Sequence, residues 1–214
     1  MSGGAGDGSA RGPDWNAKYA AAEGGLFGES PNQWLRMCLA RPELAPLSAL
    51  FLADGDGRNG AWAAAQGLTV IGLDISSEAT ARAQARDRAA GVRAERIAAD
   101  LRRWSPGPRR WDLSALICLQ GPEALRRQGL ARAVEATAPG GWLLLEGFSR
   151  ISLQGPGPRG AAMRWDLDEA LEWLAPAGLQ LHEALQGRVL LDEGPHHQGL
   201  AGVLRLLLRR PPLG

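Results

Sequence analysis

The sequence predicts an α/β protein with a doubly wound, mostly parallel sheet and an antiparallel C-terminal hairpin. Three observations predict it. From Leu47 to about Gly147, short apolar runs alternate with amphipathic segments, the rhythm of parallel strands joined by helices. Towards the C-terminus, "GLQLHEALQGRVLLDEG" and "GLAGVLRLLLRR" are joined only by "PHHQ", a connection short enough to imply an antiparallel pair. Asp54, Asp74, Asp100, Gln120 and Glu146 each fall at or just past the end of a parallel run, and ligands of an open α/β sheet sit on that rim.

Taken in order, "LSALFLA" reads as a buried strand and "RNGAWAAAQ" as a helix closed by Gly67. "LTVIGLD" is the next strand. Ser76 caps the Ala-rich helix that follows, Glu78 lies near its positive end and Gly91 stops it. "VRAERIAAD" is a weaker strand, and "WDLSALICLQ" a strong one. "PEALRRQGLARAVEATA" is a helix with Pro122 in its first turn, after which "PGG" turns the chain into the strand "WLLLEGF". A Gly/Pro-rich loop leads to a helix whose start is marked by the capping-box pair Asp166 and Glu169. The expected organisation is a flexible tail over 1–12, an N-terminal arm and lid over 13–46, the main domain over 47–210 and a tail over 211–214.

The totals exclude several function classes. A chain of 214 residues with a net charge of +1 and 45% hydrophobic residues suits one full-sized core. Lys18 is its single lysine and the arginines are scattered, so no footprint for nucleic acid stands out. The arginines of "LRRWSPGPRRW" read as a solvated surface. Cys38 and Cys118 have no metal-ligand spacing, so no metal is expected. "MSGGAGDGSARG" lacks the apolar core of a signal peptide and no run is long enough to span a bilayer, which predicts a soluble cytoplasmic protein with no membrane partner.

The most informative stretch is "LADGDGRNG". Gly55, Gly57 and Gly60 match G-x-G-x-x-G, the pattern that seats a dinucleotide pyrophosphate at a helix N-terminus. Asp54 and Asp56 would repel a pyrophosphate and favour a ligand with an amino or sulfonium cation. S-adenosylmethionine carries both. Asp74 is then placed for the ribose hydroxyls and Asp100 for the adenine amino group. A nicotinamide-dependent oxidoreductase is the alternative, weakened by the loop acids and by the lack of room for a substrate domain. A non-catalytic S-adenosylmethionine-binding protein is another.

"WNAKY", "LFGESPNQWL", "LADGDGRNG", "GLDIS", "PGG", "LLLEGFS" and "LDEGPHHQG" together resemble the small class I S-adenosylmethionine-dependent methyltransferases of the tellurite-resistance type, with thiopurine methyltransferases as more distant relatives. The resemblance runs from Trp15 to Arg209. It implies a seven-stranded Rossmann-like methyltransferase sheet whose last strand is antiparallel, and a small-molecule acceptor such as a thiol or chalcogen oxyanion. Two positions depart from the family pattern: Phe51 stands where an acid is usual and Gln120 where a His is common.

Methyl transfer from a sulfonium needs mainly alignment and water exclusion, and a base only where the acceptor must lose a proton. The candidate catalytic residues are Glu146, His197 and Gln120. The candidate cofactor residues are Lys18, Asp54, Gly55, Asp56, Gly57, Arg58, Asn59, Asp74, Ile75, Asp100 and Leu101. Arg58 opens a helix, where a cation opposes the dipole, so an anionic partner is expected, either Asp54, Asp56 or a ligand group. By the resemblance, Lys18 meets the cofactor carboxylate, and Tyr19, Phe27 and Trp34 form a lid over the cofactor.

Overall fold

The computed structural model describes residues 12–214, so all of the expected N-terminal tail except Gly12 lies outside the described residues. Among these residues seven strands form one sheet: β1 Ser48–Leu52, β2 Thr69–Asp74, β3 Ala94–Ala98, β4 Trp111–Ile117, β5 Thr137–Phe148, β6 Gln180–Asp192 and β7 Gln198–Arg209, in the order β3-β2-β1-β4-β5-β7-β6. Strands β1 to β5 pair in parallel, and β7 runs antiparallel between β5 and β6. β6 therefore points the same way as the parallel strands. The turn after it opens on their C-terminal rim, where Asn32 links its Glu193 to Glu146.

Among the described residues six α-helices cover the sheet: α1 Trp15–Ala21, α2 Gln33–Leu39, α3 Arg58–Ala65, α4 Ser77–Ala90, α5 Glu123–Ala136 and α6 Leu167–Leu174. The expected start signals act as such. The Ser76 hydroxyl accepts the Ala79 amide at 3.0 Å, and the Asp166 carboxylate accepts the amides of Asp168 and Glu169. Gly91 closes α4 at φ 66°, a left-handed position open to glycine. On one face of the sheet α5 and α6 pack Leu130, Ala133, Ala170 and Leu174 onto Leu116, Leu145 and Leu206. On the other, α2 and α3 pack Trp34, Leu35, Cys38 and Ala63 onto Phe51, Ala115 and Leu144. No helix among the described residues is long and apolar enough to cross a membrane.

Two local expectations are corrected. "PGG" does not turn the chain between helix and strand, because β5 already starts at Thr137; Gly140 at φ 78° instead accommodates a bulge as the pairing shifts between Trp111 and Leu113. The segment before β1 is not only an arm, since α2 is buried in the core through Trp34, Leu35 and Cys38.

Candidate active site on the C-terminal rim

The glycine loop leaves β1 through a run of left-handed residues, Ala53 at φ 57°, Gly55 at 60° and Gly57 at 80°. Asp74, at the end of β2, fastens it: one carboxylate oxygen accepts the Gly55 amide at 2.9 Å and the other accepts the Ser76 amide at 2.9 Å. A carboxylate has about four lone-pair sites, so these amides leave it capacity to accept from a ligand hydroxyl. Ile75 beside it is half exposed and Leu101, past the end of β3, is buried, an apolar pair suited to a purine face. Tyr19 of α1 is buried with its hydroxyl against the Gly55 backbone, where a Cβ would overlap it. Asn16 ties the same helix to the start of α4, its side-chain oxygen accepting from the Ser76 hydroxyl at 2.7 Å.

A second cluster joins four distant parts of the chain. Asn32, just before α2, donates from Nδ2 to Glu146 at 2.6 Å and to Glu193 at 3.0 Å, while its own amide donates to Asn59 Oδ1 at 2.8 Å. Glu193 also accepts the Gln33 amide at 2.8 Å and Arg58 Nη2 at 2.9 Å. Glu146 pairs with its register partner on β7, Arg205, at 2.5 Å. All these side chains are buried. Burial pushes the Glu146 carboxyl up, with Arg205 pulling it back. Burial acts the same way on Glu193, but the Arg58 guanidinium and the Gln33 amide outweigh it and hold the Glu193 carboxyl low.

His197 belongs to this cluster. Its Nδ1 lies 2.9 Å from Arg58 Nη2, and because a guanidinium only donates, Nδ1 accepts and the neutral ring carries its proton on Nε2. Burial, with Arg58 beside it, lowers its pKa against the opposing pull of Glu193. Phe27 stacks on the imidazole at 5.1 Å and Phe148 meets it edge-on at 5.3 Å.

The structure thus gathers Asp54 to Asn59, Asp74, Ile75 and Tyr19 around the loop, and Glu146, His197 and Phe27 around the second cluster, with Arg58 and Asn59 shared. Several expectations change. Trp34 is no lid residue, since it is 1% exposed in the core, flanked by Arg41 and Arg205. Arg58 finds its anion in Glu193 and not in the loop acids. Asp54 lies under the loop, paired with Arg96 at 2.5 Å. Asp56 is buried, 3.4 Å from Arg86. Asp100 is held by Arg102, which keeps its carboxyl low. Lys18 is exposed, its Nζ 4.7 Å from the Trp15 ring centre. Gln120 lies between the exits of β4 and β5, its side-chain amide within hydrogen-bond reach of the Met163 carbonyl at 2.9 Å and the Phe148 amide at 2.6 Å, and the donor and acceptor roles of those groups orient its nitrogen to Met163 and its oxygen to Phe148. Phe51, in place of the usual acid, is a core side chain.

Sequence reasoning missed Asn32, Arg96, Glu193 and Arg205. The lone arginines inside the strand runs "AERIA" and "VLRLLL" were a usable signal, because a charge amid buried alternation demands a buried partner.

Residues 49–141 match the family model described as a methyltransferase domain. A comparison with curated proteins gives no significant match. Among solved structures, TehB from Haemophilus influenzae superposes with TM-score 0.67 at 15% identity, over 82% of this chain and 61% of that one. A TehB-like SAM-dependent methyltransferase from Corynebacterium glutamicum gives 0.58 at 22% identity, over 83% and 86%. The magnesium protoporphyrin IX methyltransferase of Synechocystis PCC 6803, solved with bound SAH, gives 0.60 at 16% identity, over 82% and 79%. At such identities these likenesses establish a shared fold. The match itself identifies a methyltransferase domain over residues 49–141, within the fold these structures share. Asp74 beside apolar Ile75 fits an adenosyl group such as that of the SAH bound in the Synechocystis enzyme.

Proposed function

We propose that the chain methylates a small, soft nucleophile, a thiolate or a reduced chalcogen oxyanion. The observation that carries this reading is that each candidate base of the second cluster is already engaged. Glu146 faces Arg205 and Asn32, Glu193 faces Arg58, Asn32 and the Gln33 amide, and the accepting nitrogen of His197 faces Arg58. The Cys118 thiol, at the exit of β4, is pushed well up by burial and by the two glutamates. An acceptor that had to lose a proton would find no free base there, whereas a soft anion arrives with its lone pair available. The cofactor, when bound, supplies a methyl group already activated for in-line displacement.

The protein's part is then to bind, align and keep water out. In this reading Asp74 holds the ribose, Ile75, Asp100 and Leu101 the adenine, and the loop from Gly55 to Asn59, with Lys18, the methionine end. Tyr19 and Phe27 close over the cofactor. Glu146, His197 and Gln120 shape the acceptor side without transferring a proton. The resemblance of the sequence to tellurite-resistance methyltransferases supports the same acceptor class.

The test is methyl transfer from radiolabelled S-adenosylmethionine to matched acceptors: an aromatic thiol, selenite, tellurite, an aliphatic amine and a catechol. Turnover should be confined to the thiol and chalcogen acceptors, and for thiols kcat/KM should rise with pH along the acceptor's own titration. Turnover with the amine alone would refute the reading.

A further inference from the structure

Asp54 and the loop glycines have a partner that the G-x-G-x-x-G pattern does not suggest. Arg96, on β3, reaches across β2 to the underside of the loop. Its Nη1 donates to Asp54 Oδ2 at 2.5 Å, while Nε and Nη2 form a two-pronged pair with Asp87 of α4, each at 2.8 Å. The three side chains are 2%, 3% and 7% exposed for Arg96, Asp54 and Asp87.

The guanidinium lies in a channel made of missing side chains. A methyl group on Gly60 would stand 2.6 Å from Nη1, one on Gly57 3.1 Å from Cζ, and one on Gly72, inside β2, would overlap Nη1. The glycines at 57 and 60, whose spacing suggests a phosphate cradle, make room for Arg96 together with Ala83 beside Gly57 and the Asp54 carboxylate beside Gly60. Above this channel the chain passes through left-handed Ala53, Gly55 and Gly57. Ala53 has no glycine freedom, and such a conformation persists only where its surroundings hold it. Asp54, between two of these residues, is fixed by its side chain to Arg96 and by its amide to the Leu73 carbonyl at 3.0 Å.

We infer that Arg96 is the positioning residue of the cofactor loop, its guanidinium, lodged between Gly57, Gly60 and Gly72, holding the Ala53–Gly57 turn in shape through Asp54. The inference rests on the assignment of this loop to the methionine end of the cofactor and of Asp74 to the ribose. It does not depend on the acceptor.

The experiment measures affinity for S-adenosylhomocysteine and for adenosine, by calorimetry on folded protein, in Arg96→Lys, Gly72→Ala, their combination, and Asp74→Ala. Arg96→Lys keeps a cation but cannot bridge both carboxylates with one planar fork. It should weaken S-adenosylhomocysteine at least tenfold and leave adenosine within about twofold, because adenosine does not use the loop. Gly72→Ala, inside β2, should do the same by displacing the guanidinium. Combined with Arg96→Lys it should cost less than it does alone, since the added methyl then meets only the Asp54 carboxylate, 2.9 Å away. Unchanged affinity in folded variants, or equal loss of both ligands, would overturn the inference. An Asp74→Ala variant that keeps full affinity for both would sink the site assignment itself, and this inference with it.

Discussion

Three donors converge on Glu193, from Asn32, Gln33 and Arg58, in a place almost closed to water. Replacing it by Ala would leave the Arg58 guanidinium buried without its anion, a loss on the order of 3–5 kcal/mol measured by urea unfolding. Glu193→Gln keeps the shape and drops the charge, so it should cost less. The two differ in pH dependence too. The Glu193 carboxyl is held at about 2, against 4.5 when unfolded, so its contribution is full above pH 4.5 and is lost as pH falls towards 2. The stability gap between wild type and Glu193→Gln should therefore narrow steadily between pH 4.5 and 2. A gap that stayed constant would mean that Glu193 is not held ionised by these partners. This residue stood inside "LDEG" in the sequence without being singled out, because its importance comes from Asn32 and Arg58, both more than a hundred residues away.

At the scale of elements, what could be read in advance was what local chemistry encodes. Ser76 and Asp166 act as caps because a side-chain oxygen satisfies amides two or three residues on, and Gly91 stops α4 because it tolerates a left-handed turn. Helix α2 was not legible in the same way. Seven residues are too few for a periodicity to stand out, and propensity alone does not stabilise so short a helix. It forms because Asn32 caps it and because Trp34, Leu35 and Cys38 find the exposed face of β1, β4 and β5. Trp34→Ala should accordingly behave as a core truncation, costing about 3–5 kcal/mol in denaturant unfolding. A loss under about 1 kcal/mol would mean that the indole is a detachable cover, as a lid would require.

At the scale of the molecule, the parallel order and the hairpin were legible because apolar runs and short connections encode them, and so was the rim, which follows from topology. The closure of that rim was not. It is made by contacts between segments remote in sequence: Tyr19 on Gly55, Asn16 on the start of α4, and the 26–33 segment on the turn after β6, where Gly28 and Gly194 pass so closely that neither has room for a Cβ. The cofactor should therefore be felt by all of these segments together. Saturating S-adenosylhomocysteine, at about a hundred times its dissociation constant, should add about 2.7 kcal/mol to global stability. Hydrogen exchange locates where the tightening occurs. Protection should rise jointly in Trp15–Ala21, in the Gly55–Arg58 loop and in residues 193–197, while the centres of β4, β5 and β7 change least, being already held by buried pairing on both sides. Protection confined to the glycine loop would show that the N-terminal segment and the hairpin pack on each other without serving the ligand. Joint protection, lost in Glu193→Gln but retained in a neutral surface variant such as Glu172→Gln, would show that the cluster around Glu193 carries closure from one side of the site to the other.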